Sequence, residues 1–252
     1  MIIFGILAWS INLETAIVIS SIGMAVLAFF VVITFREDNF IPAHEEHLRQ
    51  SLSLFKRGIT LSRKDHEIFL VFVATFLINA AFMVAWLYPK RLVNLGFPHD
   101  PVFWYTALLV LSSMLGFFAL QFVKIHIDKV SVAHRFYAFA CFIGAIGLGI
   151  LAFASTAFIG SFGALLTKGI ADNVTRPISV IWVNRRTAND VRATVHSFLS
   201  QTESIGEVTG GFVLASIAQT NGIVTTLMAA GVLTALTGLI VVGSKRNINK
   251  TN

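Results

Sequence analysis

The sequence predicts an all-α membrane protein: a six-helix transmembrane bundle, preceded by one further transmembrane helix and a partial helix. Three observations predict it. Of the 252 residues, 56% are hydrophobic and 13% charged, about half the roughly 25% charge of soluble proteins. The charges are clustered, and residues 136–167 and 208–244 carry none. Apolar runs recur at about the 20-residue length that a helix needs to cross the hydrocarbon of a bilayer. So much apolar surface excludes a disordered chain. The net charge of +6 is not gathered into the single patch that nucleic acid requires. The basic residues stand at the ends of apolar runs, where lipid headgroups and insertion polarity account for them. The expected partner is therefore the lipid bilayer, and no nucleic acid.

Taken in order, residues 1–11 are apolar but too short to cross, and read as the tail of a partial helix. They lack the basic start of a signal peptide. A first full span follows at 15–35, closing a section over 1–35. Residues 36–67 are the one long polar segment, and within it Leu48, Leu52, Phe55 and Ile59 fall at helical spacing between charges. That pattern reads as an amphipathic helix on the membrane surface, or equally as a solvated linker. Six further spans are predicted at 68–89, 102–123, 136–153, 157–182, 193–218 and 222–243, and they make up a section over 68–243. A polar tail over 244–252 ends the chain. Pro89, Pro98 and Pro101 separate the first two of the six, since proline removes an amide donor and resists helix continuation. The short link at Ser155-Thr156 makes its two helices antiparallel neighbours. Asn221-Gly222 is the turn signal before the last span.

Basic residues set the orientation. With 36–67 on the cytoplasmic side, alternation puts 15 of the 19 Lys and Arg in cytoplasmic segments, against Lys90 and Arg91 on the other face. The remaining two, Lys168 and Arg176, lie inside a span. The expected location is a multi-pass protein of the cell membrane, with the long loop and the C-terminus cytoplasmic.

The candidate site comes from charges where none are cheap. Span 157–182 holds Lys168, Asp172 and Arg176 at i, i+4 and i+8, one helical face; span 193–218 holds Glu203 and Glu207 at i, i+4. A charge at mid-bilayer costs about 2.5–3.5 kcal/mol on insertion scales. These five should face water or each other. Two bases against three acids leave one carboxylate over, and a desolvated carboxylate without a partner holds and releases a proton near neutral pH. Glu203 or Glu207 is the expected one, because Asp172 has a base one turn away on either side. The competing reading is an ion network that only joins two helices. Asn79 is polar in an otherwise apolar span; a helix–helix hydrogen bond is its commoner use, a ligand contact the other. Trp86, Tyr88, Trp104 and Tyr105 read as interfacial anchors first and ligand contacts second. Gly206-x-x-x-Gly210, with Gly144, Gly147 and Gly149 and with Gly160 and Gly163, predicts close helix packing.

Other signals exclude chemistry. Cys141 is the only cysteine, so neither a disulfide nor a cysteine metal site is expected. His44 and His47 stand three apart but lack a third ligand, and no metal site is expected there. There is no Gly-rich loop ending in Lys-Ser/Thr and no Ser-His-Asp setting. Neither an enzyme nor a cofactor is expected.

The chain resembles the C-terminal half of a major facilitator superfamily (MFS) transporter of the drug-efflux-like kind. Phe35-Arg36-Glu37 resembles the exit of the sixth helix into the central cytoplasmic loop. Pro177 to Asn184, then Arg192-Ala193-Thr194-Val195 and Ser197, resemble the end of helix ten, its loop and the opening of helix eleven. Asp128-Lys129 before Arg135 is similar to the family's degenerate cytoplasmic gating motif. The resemblance covers nearly the whole chain and implies alternating access, with a small-molecule substrate near the midplane. It implies that Asp128, Lys129 and Arg192 help to close a cytoplasmic gate. The family has twelve spans, about seven of which are found here. A fragment or misplaced start, a split transporter completed by a missing N-terminal half, or a second copy would account for the rest. Met1 inside a helix points to the first. The expected function is proton-coupled export of a small molecule; the alternative is a fragment or membrane subunit that does not transport without a partner chain.

Overall fold

The computed structural model describes residues 12–34, 56, 60, 65–97, 101–127, 130–188 and 191–248. Every regular element among them is helical, the form in which backbone N–H and C=O groups pair within their own segment, as a bilayer requires. In order they are α1 (Leu13–Thr34), α2 (His66–Phe82), a 3-10 turn (Met83–Leu87), α3 (Tyr88–Asn94), α4 (Pro101–His126), α5 (Val130–Phe153), α6 (Ala157–Ala164), a π-helical segment (Leu165–Asp172), α7 (Asn173–Arg186) and α8 (Arg192–Ile248).

Five stretches among the described residues are long and apolar enough to cross a membrane: Glu14–Thr34, His66–Asn94, Val102–His126, Val132–Phe153 and Arg192–Ser244. The sequence leads one to expect seven, and two local features explain the difference. Gly222, at φ 81° and ψ 171°, breaks α8 into a first arm (192–221) and a second arm (223–248). The last two expected spans thus follow one another directly through a single non-helical residue, and the break stands where Asn221-Gly222 predicts it. The expected span 157–182 is no single α-helix: α6 passes through eight π-helical residues into α7, and it carries the charged residues. Most of the amphipathic segment 36–67, the pair His44 and His47, and the gate residues Asp128 and Lys129 lie outside the described residues.

The chain divides into two compact units. The smaller, residues 1–52 and 98–110, contains α1 and the beginning of α4. Along α1 the apolar side chains Ile17, Ile22, Met24, Phe29, Phe30 and Val32 are exposed, as on a lipid-facing helix.

The larger unit, residues 53–97 and 111–252, contains the candidate site. Within it α8 packs along α2 and α5, and α5 also meets α6, the π segment and α7. Ile68, Val71, Ile78, Tyr137, Cys141, Ile178, Trp182, Leu199 and Val241 form its buried core. Glycine sets the closest approaches. A Cβ on Gly206 would stand 2.5 Å from the Phe76 carbonyl oxygen, and one on Gly210 would run into Ala80 of the same helix. The first arm therefore lies against the backbone of α2. A Cβ on Gly147 would meet the Gly163 carbonyl at 2.7 Å, so α5 and α6 touch in the same way. Gly149 has nothing near it and plays no part in the packing that the glycine pattern predicts.

Polar contacts tie both ends of this unit. At one end Arg91 donates to the carbonyls of Leu151, Ala152 and Ala154, at 3.3, 2.9 and 3.2 Å. At the other, His66 Nε2 meets Ser244 Oγ at 2.8 Å, Arg185 donates to the Ile127 carbonyl, and Arg192 donates to the Thr187 carbonyl at 3.3 Å.

Candidate functional site

Between α2, the π segment, α7 and the first arm of α8 lies a cavity of about 180 Å³. Lys168, Asp172, Arg176, Glu203, Glu207 and Asn79 all line it. The structure thus brings together all six residues singled out by charge or polarity within an apolar span. Their spacing is the local cause: 168, 172 and 176 follow one face down the π segment into α7, while 203 and 207 follow one face of the facing arm.

The charges pair in a definite order. Lys168 Nζ stands 2.7 Å from Asp172 Oδ2, within its own helix. Arg176 Nη2 reaches across to Glu203 Oε2 at 3.1 Å. Glu207 forms no ion pair with a described residue and sits exposed at the mouth. Asp172 therefore takes only one of its two neighbouring bases. Arg176 is 72% exposed and Glu203 10% exposed along their side chains, so the bridge runs from the cavity wall to its open side. Lys168 Nζ also lies 4.7 Å from the Trp86 ring centroid, within the range of cation–π attraction.

Asn79 departs from expectation. Its Nδ2 donates to the Thr75 carbonyl, on its own helix, at 2.8 Å. Among the described residues this bond stays within one helix, one turn back, and Asn79 lines the cavity. Arg192 stands away from the cavity at the end that holds Thr187.

Several lining residues escape a reading by charge. Thr75 and Ser179 meet at 3.2 Å, Ser179 donates to the Thr175 carbonyl at 3.2 Å, and all three line the cavity. Hydroxyls are common enough in membrane helices that none stands out. Trp86, read as an anchor, lines the cavity too, beside Ile78, Phe82 and Met83.

The π segment supports this arrangement. A π turn closes i to i+5 and disturbs the i to i+4 ladder. Asn173 compensates, with Nδ2 donating to the carbonyls of Lys168 and Gly169 at 3.0 and 3.1 Å. Thr167 Oγ1 donates to the Gly163 carbonyl of its own run at 3.0 Å and reaches the Gly144 carbonyl of α5 at 3.4 Å. The cavity has one apolar wall and one charged wall, and its three acids outnumber its two bases by one.

No family model, curated protein or solved structure matches this chain.

Proposed function

We propose that this chain is the C-terminal half of an MFS-type secondary active transporter. It takes part in proton-coupled export of a small molecule across the cell membrane, with residues 36–67 and the C-terminus on the cytoplasmic side. The observation that carries the reading is the charge order of the cavity. Two bases are engaged by Asp172 and Glu203, and Glu207 is left over. A carboxylate left without a counter-charge among the described residues, on the cavity side of an apolar arm, is what a proton-coupled exchanger needs there. Solute and proton would then compete for the same wall, which is the basis of exchange.

The test is uptake into proteoliposomes under an imposed pH gradient. Glu207→Gln is expected to abolish gradient-driven flux and to leave membrane insertion intact, with Glu203→Gln reducing it. Undiminished flux in both variants rejects the reading.

A second reading has its own observation. Arg176 is 72% exposed along its side chain and Glu207 is exposed too, so the charged side of the cavity is open among the described residues. A membrane subunit that needs a partner chain, or a second copy, to complete the cavity fits this equally well. Flux that appears only when a partner is co-reconstituted favours it over transport by this chain alone.

A further inference from the structure

Away from the cavity, where α2 and α5 begin and α7 ends, one carboxylate gathers three partners from two other helices. Glu67 is 6% exposed. Its Oε2 accepts from Trp182 Nε1 at 3.0 Å and lies 2.7 Å from His134 Nε2; its Oε1 lies 3.5 Å from Arg186 Nη2. The His134 and Trp182 rings meet edge-on at 3.9 Å between centroids, and His134 is 4% exposed. An apolar plug would close this end at lower desolvation cost, yet the chain places here a buried imidazole against a buried carboxylate.

We propose that the Glu67–His134 pair is a proton-binding site, separate from the cavity, whose occupancy sets how tightly α2, α5 and α7 close this end. Histidine's ordinary change of charge falls between about pH 5 and 8. Protonated, His134 is an imidazolium facing the Glu67 carboxylate and the Trp182 ring, and both attract a cation. The His134 Nε2 to Glu67 Oε2 contact, at 2.7 Å, carries full charge on both sides only while the ring is protonated. Deprotonated, the ring is neutral and that attraction falls. The end is therefore held closed in acid and loosened towards alkali.

The surrounding charges agree with this sign. On α2, Asp65 is occupied in capping the helix, through Glu67 N and Ile68 N, and His66 turns to Ser244. On α5, Arg135 is exposed. On α7, Arg185 is engaged by the Ile127 carbonyl, and Arg186 opposes the imidazolium from a side chain 39% exposed to screening. On α8, Arg192 and His196 are bonded to the Thr187 carbonyl and to Asn184 Oδ1.

Cys141 reports on it directly. It is the only cysteine, is fully buried, and lies seven residues after His134, on the same face of α5. The full chain in lipid nanodiscs is treated with N-ethylmaleimide, and the rate is compared with that of His134→Gln, which keeps a neutral donor. The ratio cancels the thiol's own pH dependence. At about pH 6 the unaltered chain is expected to react about tenfold more slowly than the variant, and at about pH 8 nearly as fast. Glu67→Gln is expected to remove the pH dependence of that ratio. A ratio equal at both pH values overturns the proposal. Should the variants not fold, emission from a chain whose only tryptophan is Trp182 decides. Quenching as His134 gains its proton is expected, and emission that is flat over the same range overturns the proposal.

Discussion

In the cavity three carboxylates share two bases; at the far end of α2 one carboxylate holds an imidazole, an indole and a guanidinium. The cavity has an acid in excess, and two of its charged side chains are exposed. The Glu67 cluster has donors in excess, and its carboxylate, imidazole and indole are almost closed to solvent. Side chains of the same kinds thus serve opposite ends, since a surplus acceptor invites a solute or a proton while a saturated one binds helices together. Removing charge should therefore cost stability in one place and activity in the other.

The largest expected effect is at the saturated acid. Glu67→Ala strands three donors and should lower unfolding stability in mixed micelles by about 3 kcal/mol or more, the cost of removing one member of a buried pair. Next is the backbone contact that supports the cavity wall. Gly210→Leu drives a side chain into Ala80 and should cost about 1–3 kcal/mol, the usual range for overpacking, in the same measurement. Glu203→Gln releases Arg176, which is 72% exposed, so the stability loss should stay below about 1 kcal/mol. The smallest is Glu207→Gln, with a stability change within about 0.5 kcal/mol, typical of a surface position, and with gradient-driven flux lost. If Glu207→Gln proves more destabilising than Glu67→Ala, the contrast between the two sites fails.

The cavity was legible because charge is costly in an apolar run: Lys168, Asp172, Arg176, Glu203 and Glu207 announce themselves against their neighbours. Which base meets which acid was not legible. The choice of Arg176 for Glu203 over Asp172 depends on how the first arm leans on α2 through Gly206 and Gly210, a distance that no spacing encodes. Glu67 and His134 gave no warning, for the opposite reason. They adjoin polar segments where charge is ordinary, and only the meeting of three helices shows them buried. The Gly222 break was written in its dipeptide. The π-helical stretch was not, since nothing in Leu165–Asp172 distinguishes it from α-helical composition.

Two departures from regular geometry flank Asp172: the π turns before it and, after it, Pro177, which offers no amide to the carbonyl of Asn173. The rod bearing the cavity's bases thus has a weakened ladder through Lys168 and again just past Arg176. Twist is therefore expected to cost less along this rod than along the neighbouring α-helices whose i to i+4 ladders are whole.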